Sequence, residues 1–131
     1  MKLTHIAIWT TKLEELKAFY VKYFGAIAGE KYMNPRKKFT SYFLSFQGET
    51  TLELMHMPDV QPRPYDRLDK PTGFTHIAFT VESKEEVDSL TQCLQYDGDE
   101  IEKAPRMTGD GFYESAVFDP ENNIIEITCQ P

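Results

Sequence analysis

The hydrophobic positions of this chain follow two periods, and the two periods alternate twice along its length. Residues 3–8, Leu-Thr-His-Ile-Ala-Ile, change between faces at every step, the period of a half-buried strand. From Leu13 the period lengthens. Leu13, Leu16, Phe19, Tyr20, Tyr23 and Phe24 fall on one side of a helix that Gly25 ends. Two strand-like runs follow, 41–46 and 51–57, with Gln47 and Gly48 turning the chain between them. The order then returns. Residues 74–79, Phe-Thr-His-Ile-Ala-Phe, predict a strand, and Val87, Leu90 and Leu94 mark a second helix stopped at Gly98. Residues 113–118 and 123–129 predict two more strands, joined through Asp119-Pro120-Glu121-Asn122. Shorter strands are expected near 30–33 and 100–103.

Each half therefore reads β-α-β-β-β, an α+β pattern written twice. The repetition extends to identities, since Thr4-His5-Ile6-Ala7 returns as Thr75-His76-Ile77-Ala78. It extends also to helix starts: Thr11 with Glu14, and Ser83 with Glu86, each have capping-box spacing. The first module is expected over about 1–57 and the second over about 73–131. The stretch between them, about 58–72, contains Pro58, Pro62, Pro64 and Pro71, which lack the amide donor of a central strand. Modules this small are not expected to be stable separately, so one domain spanning 1–131 is predicted.

Strand parity selects the candidate chemistry. With Ile6 and Ile8 turned toward a helix, His5 faces the other way, and His76 does the same beside Ile77 and Phe79. Glu53 lies between Leu52 and Leu54, and Glu126 between Ile125 and Ile127, so both acids also face away from the helices. A carboxylate at the centre of a sheet is costly to desolvate unless a cation compensates it. Two neutral imidazoles and two carboxylates balance a divalent metal and suit Zn, Ni, Co, Fe or Mn, with positions left for water or substrate. His56, on the helix-packed parity, is expected to be structural or exposed.

The same parity, facing away from the helices, includes Trp9, Thr51, Met55, Thr80, Ile124 and Thr128. Tyr42 and Phe46 join them if the even positions of their strand face inward. Arg36 and Arg106 occupy matching places in the halves and are candidates to clamp a substrate carboxylate or phosphate. Tyr113, closing the two-glycine stretch that begins at Arg106, is a further candidate contact; that stretch reads as a lid or as a hairpin lead-in.

Composition narrows the partners. A net charge of -7 argues against nucleic acid, whose phosphates need clustered Lys and Arg. No run approaches the roughly 20 apolar residues of a membrane span. Cys93 and Cys129 lack CxxC spacing and are expected to be reduced thiols of a cytoplasmic protein. No Ser-His-Asp arrangement or Gly-rich phosphate loop competes with the metal reading.

With these residues in view, the chain resembles the vicinal-oxygen-chelate superfamily, which includes glyoxalase I, bleomycin-binding proteins and extradiol dioxygenases. The likeness rests on Thr4-His5-Ile6-Ala7, on Leu16-Lys17-Ala18-Phe19-Tyr20 leading to Phe24-Gly25, and on Thr75-His76-Ile77-Ala78. It rests also on residues 119–127, which are similar to a D-P-x-G-N-x-I-E signature with Asn122 in the glycine's place. The resemblance implies tandem βαβββ modules forming a half-open, mixed-sheet, barrel-like cavity with helices outside. It implies that His5, Glu53, His76 and Glu126 hold one divalent metal ion, as in bacterial-type glyoxalase I. The implied reaction is a lyase or isomerase step on a small substrate chelated through adjacent oxygens, with proton transfer through a metal-held enediolate. Glu126 is the implied base and Glu53 the alternative. A homodimer is the implied assembly. Another reaction on the same site, as in a dioxygenase or thiol transferase, and a binding protein that sequesters a small molecule are the competing expectations.

Overall fold

In the computed structural model, which describes residues 1–131, the doubled pattern folds as two units, Met1–Tyr65 and Asp66–Pro131. The first unit runs β1 (His5–Trp9), α1 (Leu13–Phe24), β2 (Ile27–Ala28), β3 (Tyr32–Asn34), β4 (Phe39–Ser45) and β5 (Thr51–His56). The second runs β6 (His76–Thr80), α2 (Lys84–Tyr96), β7 (Ile101–Met107), β8 (Tyr113–Phe118) and β9 (Ile124–Cys129). The fold is α+β, with one mixed, unclosed sheet and one helix in each unit.

In the first unit the strand order is β1-β5-β4-β2, with β3 also paired to β4. The first and last strands of the unit lie side by side and parallel, setting Ile6 opposite Leu52 and Ile8 opposite Leu54. Partners in register share a face, so these apolar side chains form the surface that α1 covers. Leu16 and Tyr20 of the helix, with Leu44 and Leu54 of the sheet, are completely buried there. Burying a leucine side chain of this kind contributes about 1.5–3 kcal/mol. Gly25 ends the helix at φ +63°, a left-handed conformation that glycine adopts without steric cost.

The helix starts differ from expectation in one half. Ser83 caps α2 as its spacing predicts, its Oγ accepting from the amide of Glu86 at 3.2 Å. The Glu86 carboxylate accepts in turn from the amide of Glu82 at 2.8 Å. The Thr11–Glu14 box does not form: Lys12 is the N-cap of α1, without a side-chain cap. Glu14 is engaged elsewhere, accepting from Lys31 Nζ at 2.9 Å and from the Tyr42 hydroxyl at 3.1 Å. The Lys31 bond, assisted by Tyr42 and Lys17, holds the Glu14 carboxyl below its ordinary value.

In the second unit the order is β6-β9-β8-β7. Ile77 opposes Ile125 and Phe79 opposes Ile127 across the parallel pair, and Val87 and Leu94 of α2 pack on that side of the sheet, fully buried. The buried Thr91 hydroxyl lies 2.6 Å from the Ser115 hydroxyl and donates to the Val87 carbonyl, so neither polar group is stranded in the core. The strand expected near 100–103 is longer, extending to Met107 with two register shifts against β8. The one expected near 30–33 is two short pieces, β2 and β3.

The corner between β8 and β9 is tied by one side chain. The buried Asp119 carboxylate accepts from the amides of Glu121 and Asn123 at 2.9 and 2.8 Å, and from Asn123 Nδ2 at 2.8 Å. Asn122 sits at φ +62°, which accounts for a glycine at this place in the signature. Its Oδ1 accepts from Arg67 Nη1 at 3.0 Å. Arg67 also pairs with Glu100 and stacks 4.1 Å from the centre of the Phe118 ring. The C-terminal end of the proline-rich connector is thereby fastened to the second unit.

Candidate metal centre

The face of each sheet opposite its helix carries one histidine and one glutamate, and parallel pairing explains their closeness. In the first unit His5 opposes Thr51, Ala7 opposes Glu53 and Trp9 opposes Met55. In the second His76 opposes Ile124, Ala78 opposes Glu126 and Thr80 opposes Thr128. A small alanine beside each glutamate leaves the space into which the neighbouring imidazole leans. His5 Nε2 lies 3.7 Å from Glu53 Oε2, and His76 Nε2 lies 3.1 Å from Glu126 Oε2.

The ring nitrogens have separate tasks. Nδ1 of His5 lies 3.2 Å from the Thr4 hydroxyl, and Nδ1 of His76 lies 2.9 Å from the Thr75 hydroxyl. Each Nδ1 is thus engaged by a hydroxyl, the kind of outer contact that orients a metal-ligating imidazole, while Nε2 faces the carboxylate. The Glu53 and Glu126 side chains are 15% and 17% exposed, whereas the imidazoles are 44% and 41% exposed. Each pair therefore has a sheltered carboxyl group and an accessible nitrogen.

This donor set fits a divalent cation. Two ligands each about 2.1 Å from one ion, at 90–120° to each other, stand about 3.0–3.6 Å apart. The separation of 3.1 Å in the second unit falls inside that interval, and the 3.7 Å in the first lies just beyond it. Each unit supplies two donors, and no group of three or more His, Cys, Asp or Glu side chains forms in the structure.

The other candidates fall in different places. Arg106 lies on the same face as Glu126, one rung along and beside Glu114, with Nη2 3.3 Å from Glu114 Oε1. Arg36 is exposed in the turn between β3 and β4, so its local structure differs from that of Arg106. Tyr42 requires correction. It opposes Leu54 on the helix-packed face, is buried, and gives its hydroxyl to Glu14, because Phe43, one position on, is the rung partner of Glu53. Tyr113 likewise opposes Cys129 on the helix side and donates to Asp88 of α2 at 2.8 Å, a bond that raises the pKa of its phenol. His56 is structural, its Nδ1 2.8 Å from the Thr10 carbonyl. Cys129 is buried and free.

Two kinds of participant escape the parity argument. Thr4 and Thr75 precede the histidines, and only their repetition in both halves could have marked them. Phe43 stands edge-on to the His5 ring, with centroids 5.6 Å apart.

The chain's likeness to known proteins agrees with this geometry. The description Glyoxalase/Bleomycin resistance protein/Dioxygenase superfamily matches residues 2–127. The uncharacterized protein YwkD of Bacillus subtilis (strain 168) is 34% identical over 128 residues, 94% of this chain and 92% of YwkD. Among solved structures, a glyoxalase family protein from Enterococcus faecalis superposes with a TM-score of 0.77 at 27% identity, covering 97% of this chain and 96% of its own. The trypanothione-dependent glyoxalase I of Leishmania major has a TM-score of 0.77 at 26% identity, covering 99% and 87%. Glyoxalase I from Zea mays has a TM-score of 0.80 at 25% identity over 99% of this chain, which spans 44% of the maize chain.

Proposed function

This chain belongs to the Glyoxalase/Bleomycin resistance protein/Dioxygenase superfamily, and from that premise we propose that it is a metal-dependent lyase or isomerase of glyoxalase type. The observation that carries the reading is the duplicated pair: in each unit a glutamate, an imidazole Nε2 beside it, and a threonine holding Nδ1. His5, Glu53, His76 and Glu126 are the four ligands. A divalent cation of the nickel, zinc, cobalt, iron or manganese class, when bound there, supplies a Lewis acid for two adjacent oxygens of a small substrate.

The chain's own groups do the rest. Thr4 and Thr75 orient the His5 and His76 rings through Nδ1. Glu126 takes a proton from the substrate carbon next to the chelating oxygens and returns it to the neighbouring carbon, with Glu53 the alternative base. Arg106, balanced by Glu114, lies on the same face as Glu126 and orients an anionic group of the substrate. Both thiols are free, which suits a reducing cytoplasm. We take the working form to be a homodimer, with two His–Glu pairs completing each set of four.

The test combines metal analysis with turnover. The purified chain should carry stoichiometric metal, and His76→Ala should lose it. With nickel, cobalt or zinc restored, methylglyoxal plus glutathione or another small thiol should be converted. Glu126→Gln should slow that conversion by about 10²–10⁴-fold, the usual worth of a positioned base. A chain without stoichiometric metal, whose fold ignores chelator, would instead be a small-molecule binding protein. Absence of turnover in the metal-loaded chain would reject this substrate pair.

A further inference from the structure

In both units the chain ahead of the first strand is tied to the corner that leads into the glutamate-bearing strand. Lys2, ahead of β1, pairs with Glu49 at 2.9 Å, and Arg67, ahead of β6, donates to Asn122 Oδ1 at 3.0 Å. Glu49 and Asn122 each stand four residues before the glutamate of their unit, Glu53 and Glu126. The matching places make the tie a feature of the module.

The two ties differ in build. Lys2 and Glu49 make one ion pair between exposed side chains. Arg67 joins three segments at once. Nη1 reaches Asn122 in the corner, Nη2 pairs with Glu100 ahead of β7, and the guanidinium lies 4.1 Å from the centre of the Phe118 ring at the end of β8. Glu100 is fixed in turn, its carbonyl accepting from the Phe118 amide at 3.1 Å. The connector is shaped to present this arginine. Asp69 Oδ2 accepts from the Asp66 amide at 3.0 Å and Asp66 Oδ1 from the Leu68 amide at 2.9 Å, closing a small turn around Arg67. The unit with the fuller tie also has the closer His–Glu pair, 3.1 Å against 3.7 Å.

We propose that Arg67 is a positioning residue for Glu126: docked on the β8–β9 corner, it holds β9 where the Glu126 carboxyl group meets the His76 imidazole. The proposal rests on the metal reading above for what that pair does. Phe118 opposes Ile124 and Ala116 opposes Glu126, so the guanidinium stacks two rungs from the glutamate. With the Glu100 side chain 63% exposed, the ion pair adds little to overall stability. Position is a stricter demand, because a metal site tolerates only about 0.2 Å in its ligand distances. A planar fork engaged at two nitrogens and stacked on a ring removes play that a single exposed bond leaves.

Zinc affinity, measured beside stability, tests the assignment. Arg67→Ala should raise the zinc dissociation constant at least threefold. Ser83→Ala, which removes the α2 cap in the same unit, reports what lost stability alone does and should stay within twofold. Asn122→Gly allows the corner its backbone angle and loses the bond to Arg67. Added to Arg67→Ala, it should weaken zinc binding no further, since both changes break one tie. Unchanged affinity in Arg67→Ala, equal losses in Arg67→Ala and Ser83→Ala, or additive losses in the double variant overturn the assignment. A chain that takes up no zinc refutes the metal reading separately. Arg67 is then judged by amide hydrogen exchange in the metal-free chain. Exchange in β9 at least tenfold faster in Arg67→Ala, with β1 and β5 unchanged, supports the positioning role, and unaltered exchange in β9 overturns it.

Discussion

Asn122 shows how a single residue can satisfy a backbone demand and add a contact. At φ +62° most side chains clash with the following carbonyl, and asparagine tolerates the conformation better than most. Asn122→Ala should therefore destabilise the second unit by about 1–2 kcal/mol. Asn122→Gly accepts the angle freely and loses only the exposed bond to Arg67, so it should stay within about 1 kcal/mol. Urea unfolding of the two variants, side by side, checks the order. At this scale the facing of His5, Glu53, His76 and Glu126 was legible, because alternation alone assigns a strand residue to a face. Tyr42 and Tyr113 were not. A tyrosine is apolar along its ring and polar at its tip, so it suits either face, and only the register shows both reaching over the helices to Glu14 and Asp88. The hydroxyls of Thr4 and Thr75 were visible as repeated letters, without a stated task.

Among the elements, the helices and long strands follow from their periods, and the departures have physical causes. α1 starts from Lys12 as its N-cap without a capping box, with Glu14 bonded to Lys31 and Tyr42 instead, whereas Ser83 kept its own. Ser83→Ala should consequently cost about 1 kcal/mol, read as a lowered thermal midpoint with α2 still helical by circular dichroism. β7 runs on past its expected end through Pro105; a proline has no amide to give a regular ladder, and the shifted pairing between Lys103 and Arg106 accommodates it. Strand order was beyond reach of pattern. Nothing in the alternation says that the first and last strands of a unit become parallel neighbours, yet that pairing brings each histidine to its glutamate.

For the molecule as a whole, the doubling of the chain was its most readable property, and the division of donors is its most testable. On the proposed four-ligand reading, metal should stabilise the chain only when both His–Glu pairs are intact. Zinc or nickel at a hundred times its dissociation constant should add about 2.7 kcal/mol to unfolding. His5→Ala should abolish the gain as fully as His76→Ala does, a comparison that thermal melts with and without metal provide. A gain that survives either change would show that one pair suffices. The corner at Asp119 has a bearing on all of this. A strand displaced by one residue turns every side chain over, so Glu126 would be driven in among leucines and valines. One carboxylate, gripping three donors at the bend, fixes the count of residues from bend to Glu126 and so decides which side of the sheet that glutamate faces.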